Sequence, residues 1–463
     1  MKNLLFVLVA VLCSSYGFSQ EITGSWNGKI IFQGTTLPLI FKIEKAETGY
    51  KSTLTSPLQS PMALASTMTS FENNKLIIQL TNLNIEYIGT FNGTKISGVF
   101  TQRGINFPMN LTKETAAPLY GERPQEPKPP YNYLIEEVSF INPIDKNSLA
   151  GTLTTPKGKT DFPMVIMITG SGSQNRDEEV FGHKPFWVIA NDFANKGIGV
   201  LRLDDRGIGK SSKGSNEDTT ENFALDINTA VQYLNSRGYK NIGLLGHSEG
   251  GLIAPIVASK NKNVKFVIAM AGPGIAIDEL MLLQTKAVSK SNGIQNEETD
   301  TSANFNKTVY SFIKNYSGSN LKADLREVLI VQMKHLPDEQ LGTDNQINTF
   351  IDDQLIQLTM PWFVNFIKYD PNFYWSKITI PVLAINGTKD VQVTATENLN
   401  GIANSLRKAK NKNFTVQKFD GLNHLFQEAQ TGAISEYAKI EQTISVEVLD
   451  KMSSWILNQK QYK

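Results

Sequence analysis

The chain has 463 residues, of which 40% are hydrophobic and 19% charged, a composition typical of a folded protein rather than a disordered one. Its length predicts more than one domain. Lysine and arginine total 45 against 44 acidic residues, so the chain has almost no net charge. This balance argues against nucleic acid or an anionic membrane surface as partner.

The amino terminus has the pattern of a secretory signal peptide. Lys2 gives a basic start, residues 4–12 are apolar, and Gly17 and Ser19 are the small residues that signal peptidase needs before a cut at Gln20. Residues 1–19 are therefore predicted to be removed, which leaves a secreted or periplasmic protein. The apolar run is too short for a stable membrane span. A lipid anchor on Cys13 is the alternative, disfavoured by the bulky Leu12 before it.

Cysteine and histidine usage limits the possible chemistry. Cys13 is the only cysteine, so the mature chain would contain neither a disulfide nor a cysteine nucleophile. The four histidines, at positions 183, 247, 335 and 424, lack the paired spacing of a zinc site. We expect no metal and no other cofactor.

Residues 20–114 are predicted to form a small antiparallel β domain. Asn73-Asn74 and Asn92-Gly93 mark tight hairpins. Residues 24–26, Gly-Ser-Trp, resemble the start of lipocalin-like barrels. A packing or positioning role is favoured over ligand binding, because small barrels fill their interiors with side chains. The predicted strands are residues 26–32, 37–44, 75–80, 86–91, 95–102 and 106–112.

Residues 115–132 are predicted to be an extended linker because they contain five prolines. From residue 133 to 463 apolar strands alternate with helical patterns, which indicates an α/β domain with a mostly parallel sheet. Residues 275–372 interrupt this scheme with helical patterns and are predicted to be a cap. The predicted strands are residues 138–140, 148–155, 164–169, 200–203, 242–246, 266–270 and 382–386.

Residues 246–251, Gly-His-Ser-Glu-Gly-Gly, lie between an apolar strand and a helical stretch, the context of a nucleophile elbow. Ser248 is the predicted nucleophile. The backbone amide of Glu249 would be one oxyanion donor, and the second would be that of Ser171, or next Gly172, in the small-residue loop after the strand at 164–168. His247 is interpreted as a packing residue.

A serine nucleophile needs a histidine base and a carboxylate that orients it. His424 is the only histidine that follows Ser248 outside the predicted cap. Asp390 follows the strand at 381–385 and is the preferred carboxylate, with Asp420 and Glu428 as alternatives nearer to His424 in sequence.

These motifs, together with residues 170–177, 204–211, 271–274 and 423–427, resemble the α/β-hydrolase esterases that carry an extra amino-terminal domain, including EstD-like bacterial carboxylesterases. The resemblance implies hydrolysis of a small-molecule carboxylic ester without a cofactor, and a bracing role for Arg206. Related sequences bear the label serine aminopeptidase S33, so a peptidase using the same triad is an alternative. A second alternative is a binding protein built on an inactive hydrolase scaffold. Trp362, Phe363 and Phe366 could line an acyl pocket or form the core of the cap.

Overall fold

The computed structural model describes residues 22–32, 35–57, 60–102, 105–113, 122–334 and 344–459. The predicted signal peptide, Cys13 and His335 lie outside these ranges. The chain forms two compact units, and the main boundary between them falls between Ala117 and Pro118. Each unit has its own sheet and its own hydrophobic core.

The first unit is a curled antiparallel sheet. Its strands in the described residues are β1 (Gly24–Phe32), β2 (Thr35–Lys45), β3 (Tyr50–Ser56), β4 (Ser60–Ala65), β5 (Met68–Glu72), β6 (Lys75–Leu80), β7 (Ile85–Phe91), β8 (Lys95–Gln102) and β9 (Ile105–Thr112). Their order is β4-β3-β2-β1-β9-β8-β7-β6-β5. The predicted hairpins at residues 73–74 and 92–93 join β5 to β6 and β7 to β8. The sequence pattern does not predict β3, β4 and β5. Serines and threonines weaken the apolar alternation of β3 and β5, and β4, Ser-Pro-Met-Ala-Leu-Ala, does not alternate.

Side chains fill the inside of this curled sheet. Trp26 is fully buried, and its indole nitrogen donates to the carbonyl oxygen of Ile22 at 2.7 Å. The buried Tyr87 hydroxyl lies 3.2 Å from the carbonyl oxygen of Ile96. The hydroxyl oxygens of Ser52 on β3 and Thr69 on β5 are 2.8 Å apart, so strands from the two ends of the sheet approach each other. Such a filled interior is typical of small barrels.

The second unit contains a mixed, mostly parallel sheet. Within the described chain its strands are β10 (Tyr133–Ile141), β11 (Ser148–Pro156), β12 (Met164–Ile168), β13 (Gly199–Leu203), β14 (Ile242–His247), β15 (Val264–Met270), β16 (Val382–Gly387) and β17 (Phe414–Phe419). Their order is β10-β11-β13-β12-β14-β15-β16-β17, with antiparallel pairing at β10-β11 and β11-β13 and parallel pairing beyond. All five residues of β12 are buried, as expected for a strand with both faces covered.

Helices cover both faces of the parallel sheet. Buried side chains of α2 (Thr220–Ser236), α3 (Gly250–Ala258) and α10 (Ala395–Lys408) belong to one core. Those of α1 (Pro185–Lys196) and α12 (Val446–Leu457) belong to the other. The short helix α11 (Ile434–Tyr437) precedes α12. This layering leaves the carboxyl ends of the parallel strands, and the loops that follow them, as the place where polar groups can meet.

A helical insertion lies between β15 and β16. In the described residues it consists of α4 (Ile277–Ser291), α5 (Asn296–Asn315), α6 (Leu321–Met333), α7 (Asp344–Leu358), α8 (Pro361–Phe366) and α9 (Asn372–Trp375). Apolar side chains such as Ile313, Leu325 and Ile351 are fully buried within it. Among the residues that can be described, no helix of either unit is long and apolar enough to cross a membrane.

The second half of the predicted linker is anchored to the second unit. The Arg123 guanidinium donates to the carbonyl oxygens of Phe181 at 2.9 Å and Ala438 at 3.1 Å. The Gln125 side chain donates to the carbonyl oxygen of Ile444 at 2.8 Å and accepts from the amide of Thr443 at 2.6 Å. Residues 122–131 thus pack on the domain that follows, without forming a helix or a strand of their own.

Candidate active site

Ser248 occupies a strained turn between β14 and α3. Its φ is 54°, a left-handed conformation that is unusual for a residue with a side chain. A Cβ atom on Gly246 would lie 1.9 Å from the carbonyl oxygen of Gly250, and one on Gly250 would lie 2.2 Å from that of Ile168. Only glycine fits at both positions, which explains the elbow motif and places Ser248 at the carboxyl end of β14.

The predicted oxyanion donors lie on two segments beside Ser248. Glu249 is the N-cap of α3, so its amide lies at the helix end whose N–H groups lack intrahelical acceptors. On the other segment, a Cβ atom on Gly170 would lie 3.1 Å from the Cβ of Ser248. The loop that continues into Ser171 and Gly172 therefore begins in contact with the serine, and both residues are exposed.

His424 and Asp390 form a buried hydrogen-bonded pair. The Nδ1 atom of His424 lies 2.8 Å from Oδ2 of Asp390, and the two residues are 4% and 5% exposed. The other Asp390 oxygen accepts from the amides of Gln392 at 2.8 Å and Val393 at 2.9 Å. Since the carboxylate only accepts, Nδ1 carries the hydrogen, and Nε2 of the neutral ring is an available base.

The two alternative carboxylates have other partners. Asp420 accepts from the Thr388 hydroxyl at 2.9 Å, and Glu428 accepts from the Gln442 side chain at 3.3 Å. Both are exposed. The structure thus brings Asp390, rather than either sequence neighbour, to the His424 ring.

Ser248 and His424 are neighbours through His247. Nε2 of His247 lies 2.9 Å from the carbonyl oxygen of His424, and the two imidazole rings are 4.7 Å apart between centroids. Among the described residues, no hydrogen bond joins the Ser248 hydroxyl to the His424 ring. In serine hydrolases this bond often tightens only when substrate binds.

His247 has a hydrogen-bonding role that its interpretation as a packing residue did not include. Its Nδ1 lies 2.9 Å from Oε1 of Glu178, and the same oxygen accepts from the amide of Gly170 at 2.8 Å. Both side chains are nearly fully buried. Sequence reasoning missed Glu178, because it lies 69 positions from its partner. It directly follows residues 170–177, one of the segments that carry the family resemblance, and this position was the available signal.

Asp205 also holds the loop at residues 169–174, named the oxyanion loop because it contains the predicted donors Ser171 and Gly172. It accepts from the Thr169 hydroxyl at 2.9 Å and from the amide of Gln174 at 2.8 Å. Burial raises the pKa of Asp205 to about 8, with the nearby charges of Glu178 and Glu249 acting in the same direction. The two ends of the loop are therefore fixed by one carboxyl group.

The Glu249 side chain connects the elbow to helix α8 of the helical insertion, the predicted cap. Its carboxyl group is buried and accepts from the Trp362 indole at 3.0 Å and the Thr220 hydroxyl at 2.7 Å. Burial raises the pKa of Glu249, whereas the hydrogen bonds from Trp362, Thr220 and Ser171 oppose that shift. The Trp362 ring stacks on Phe366 at 5.1 Å. This part of α8 therefore packs against the elbow.

Arg206 is the centre of a buried ionic network, as its predicted bracing role requires. Its guanidinium contacts Asp145 at 2.6 Å, Asp218 at 3.0 Å and also Asp226. It further donates to the carbonyl oxygen of Asn222 at 2.9 Å. These contacts tie the loop after β13 to α2 and do not involve Ser248, His424 or Asp390.

The described residues contain no group of three or more histidine, cysteine, aspartate or glutamate side chains arranged to hold a metal ion.

A known family matches this part of the chain. The model of the family described as serine aminopeptidase, S33, matches residues 186–429, which is more than half of the chain. The chain belongs to this family. The matched residues include Ser248, Asp390 and His424. The second unit is an α/β hydrolase, preceded by the curled antiparallel sheet, so the predicted fold class is confirmed.

Among characterised relatives, the chain is similar to esterase EstD of Thermotoga maritima, with 26% identity over 316 residues. That match spans 68% of this chain and 66% of the relative, slightly less than two thirds of its length. The solved structures that the chain resembles include an esterase of Pyrococcus furiosus and Est1E of Butyrivibrio proteoclasticus bound to ferulic acid. For both, the identity is 17%; the TM-scores are 0.41 and 0.40, with coverage of 70% and 68% of this chain and 90% and 96% of the respective neighbour.

Proposed function

We propose that the protein is an exported serine hydrolase that cleaves carboxylic esters through Ser248, His424 and Asp390. The observation that carries this proposal is the buried hydrogen bond of 2.8 Å between His424 and Asp390, formed beside a serine at φ 54°. A carboxylate that fixes the histidine tautomer, next to a nucleophile held in a strained turn, is the arrangement that serine hydrolysis needs.

In the proposed acylation step, Ser248 Oγ attacks the ester carbonyl carbon while Nε2 of His424 takes the hydroxyl proton. The resulting imidazolium is stabilised by Asp390. When the tetrahedral intermediate collapses, the histidine returns the proton to the leaving alcohol, and an acyl-serine remains.

Deacylation repeats this chemistry with water as the nucleophile. His424 takes a proton from water, the second tetrahedral intermediate forms, and its collapse releases the acid and restores the serine hydroxyl. The amides of Glu249 and of Ser171 or Gly172 would donate to each oxyanion. Such a donor contributes roughly 3 kcal/mol to transition-state stabilisation.

Ester hydrolysis is favoured over peptide hydrolysis because the characterised relative is named as an esterase. The family description, serine aminopeptidase, keeps amide hydrolysis as the rival. The purified protein should hydrolyse short acyl p-nitrophenyl esters faster than aminoacyl p-nitroanilides. Faster amide turnover would reverse the choice.

Substitution Ser248→Ala tests the proposal directly. Ester turnover should fall by about 10⁴-fold or more, because the nucleophile is lost while the fold is retained. Ser236→Ala, on the exposed end of α2, is the matched control and should keep wild-type activity. A fluorophosphonate probe should label the wild type and the control but not Ser248→Ala. Unchanged turnover in Ser248→Ala would refute the function.

Export is supported by the sequence of residues 1–19 alone. Amino-terminal sequencing of the protein recovered outside the cytoplasm should begin at Gln20. A chain that retains Met1, or one that is acylated at Cys13, would contradict this part of the proposal.

A further inference from the structure

One carboxylate oxygen links the oxyanion loop to β14, the strand that precedes Ser248. Oε1 of Glu178 accepts from the amide of Gly170 at 2.8 Å and from Nδ1 of His247 at 2.9 Å. Glu178 is 3% exposed and has a φ of 52°, so the chain adopts an unfavourable conformation to place this side chain. A Cβ atom on Gly170 would lie 3.1 Å from the Cβ of Ser248, so this end of the oxyanion loop lies beside the serine. His247 directly precedes Ser248 in the chain.

The other nitrogen of His247 extends this link to the proposed base. Nε2 of His247 lies 2.9 Å from the carbonyl oxygen of His424. A carbonyl oxygen can only accept, so Nε2 carries a hydrogen. Since an ionised Glu178 also only accepts, Nδ1 carries one as well. The ring is then an imidazolium paired with a buried carboxylate.

The charge balance of the buried pair agrees with this protonation. Burial by itself would favour a neutral ring, but the adjacent Glu178 charge outweighs it and raises the pKa of His247. An imidazolium beside a carboxylate is neutral overall, which is how a buried charge is tolerated.

We propose that Glu178 and His247 are positioning residues for the hydrolysis reaction: together they hold the oxyanion loop at Gly170 and the main chain of His424 in one hydrogen-bonded unit around Ser248. This inference rests on the proposed function of Ser248, His424 and Asp390. Glu178 and His247 themselves need not touch the substrate.

The first consequence concerns kcat and KM. An oxyanion donor and a general base act mainly in the transition state, so a shift in their positions lowers kcat more than it weakens substrate binding. Glu178→Ala removes the shared acceptor. The value of kcat should fall by about 10- to 100-fold, because a displacement of about 1 Å in the oxyanion loop or in His424 is enough to cost that factor. KM for a p-nitrophenyl ester should change little.

The second consequence concerns the pH at which His424 becomes a base. The titratable groups that face the pair are His424 itself, Asp390 from the loop after β16 and Asp205 from the loop after β13. In the wild type, the His247 cation balances the Glu178 anion. In His247→Gln, Glu178 is left without its counter-charge, and a nearby anion stabilises the protonated form of His424.

The acid limb of the kcat/KM profile should therefore move to higher pH in His247→Gln, by roughly one unit. Glu178→Gln/His247→Gln removes both charges, so its acid limb should return to the wild-type position although kcat remains low. A residue that only packs would leave the limb in place in the single variant, and the double variant would restore nothing. Circular dichroism would establish that each variant is folded. Should Glu178→Ala fail to fold, the near-isosteric glutamine variants still decide the outcome.

Ser248→Ala separates this inference from the function on which it rests. If Ser248→Ala retains ester turnover, the proposed function fails. If Ser248→Ala is inactive while Glu178→Ala and His247→Gln keep wild-type kcat and the wild-type acid limb, the function stands and the positioning role is wrong.

Discussion

Two histidine–carboxylate pairs lie side by side in this protein. They differ in the neighbour of the ring nitrogen that is not bound to the carboxylate. In the Asp390–His424 pair, Nδ1 is bound to the carboxylate at 2.8 Å and Nε2 remains available as a base. In the Glu178–His247 pair, Nδ1 is bound at 2.9 Å, but Nε2 is occupied by a carbonyl oxygen. The same two functional groups therefore suit proton transfer in one place and the holding of a loop in the other.

His183 is a third buried histidine, and neither of its ring nitrogens is bound to a carboxylate of the described residues. His183 Nδ1 lies 3.0 Å from the Thr443 hydroxyl, and Nε2 lies 3.0 Å from the carbonyl oxygen of Tyr437. Burial lowers the pKa of His183 to about 4, whereas the Glu178 charge raises that of His247. Burial lowers the pKa of both imidazoles, and only His247 has an adjacent carboxylate whose charge outweighs that effect.

The largest expected effect comes from removing the charge in the first pair. Asp390→Asn should lower kcat by about 10⁴-fold, because the amide no longer holds the correct histidine tautomer or stabilises the imidazolium. Steady-state kinetics on a p-nitrophenyl ester would measure it. The matched control is Asp420→Asn, in the exposed alternative carboxylate, which should retain activity. Equal losses in the two variants would remove the distinction between Asp390 and its neighbours.

An intermediate effect should appear in the pH dependence of stability at His183. Between pH 6.5 and 4 the unfolded chain binds a proton at this position and the folded protein does not, so acidification favours unfolding. This group should lower the free energy of unfolding by up to roughly 3 kcal/mol over that range.

His183→Gln lacks this titration. Its free energy of unfolding, measured by urea denaturation at several pH values, should therefore decrease less on acidification than that of the wild type. Whether the variant is more or less stable at pH 7 does not enter this comparison. Identical pH slopes for the two proteins would show that His183 is protonated in the folded state.

The smallest expected effect concerns the link between the elbow and the cap. Trp362→Phe keeps the aromatic stack on Phe366 but removes the hydrogen-bond donor to Glu249, so stability should fall by about 1–2 kcal/mol. KM should rise, because α8 loses one of its attachments to the elbow. Thermal unfolding and steady-state kinetics would measure both. Trp187→Phe, on α1, is the control for a tryptophan-to-phenylalanine change, and equal effects in the two variants would contradict a specific role for the Glu249 contact.

Most of the second unit could be predicted because its strands are long apolar runs that any parallel sheet with two covered faces requires. The first unit was predicted less completely. Its strands β3 and β5 are rich in serine and threonine, so their apolar alternation is weak, and β4 does not alternate. β5, for example, has no buried residue. The pairing of β1 with β9 depends on contacts between distant segments that no local pattern encodes.

The tight turn at Ser248 could be recognised from its local sequence. Its requirements are local, since Gly246 and Gly250 lie within two positions of Ser248 and a Cβ atom at either would clash with the backbone. Which carboxylate pairs with which histidine depends on contacts between segments that are distant in sequence. Asp390 is 34 positions from His424, and Glu178 is 69 positions from His247. Partners so far apart in sequence meet because β12, β14 and β16 are aligned in one parallel sheet, which brings the loops at their carboxyl ends together.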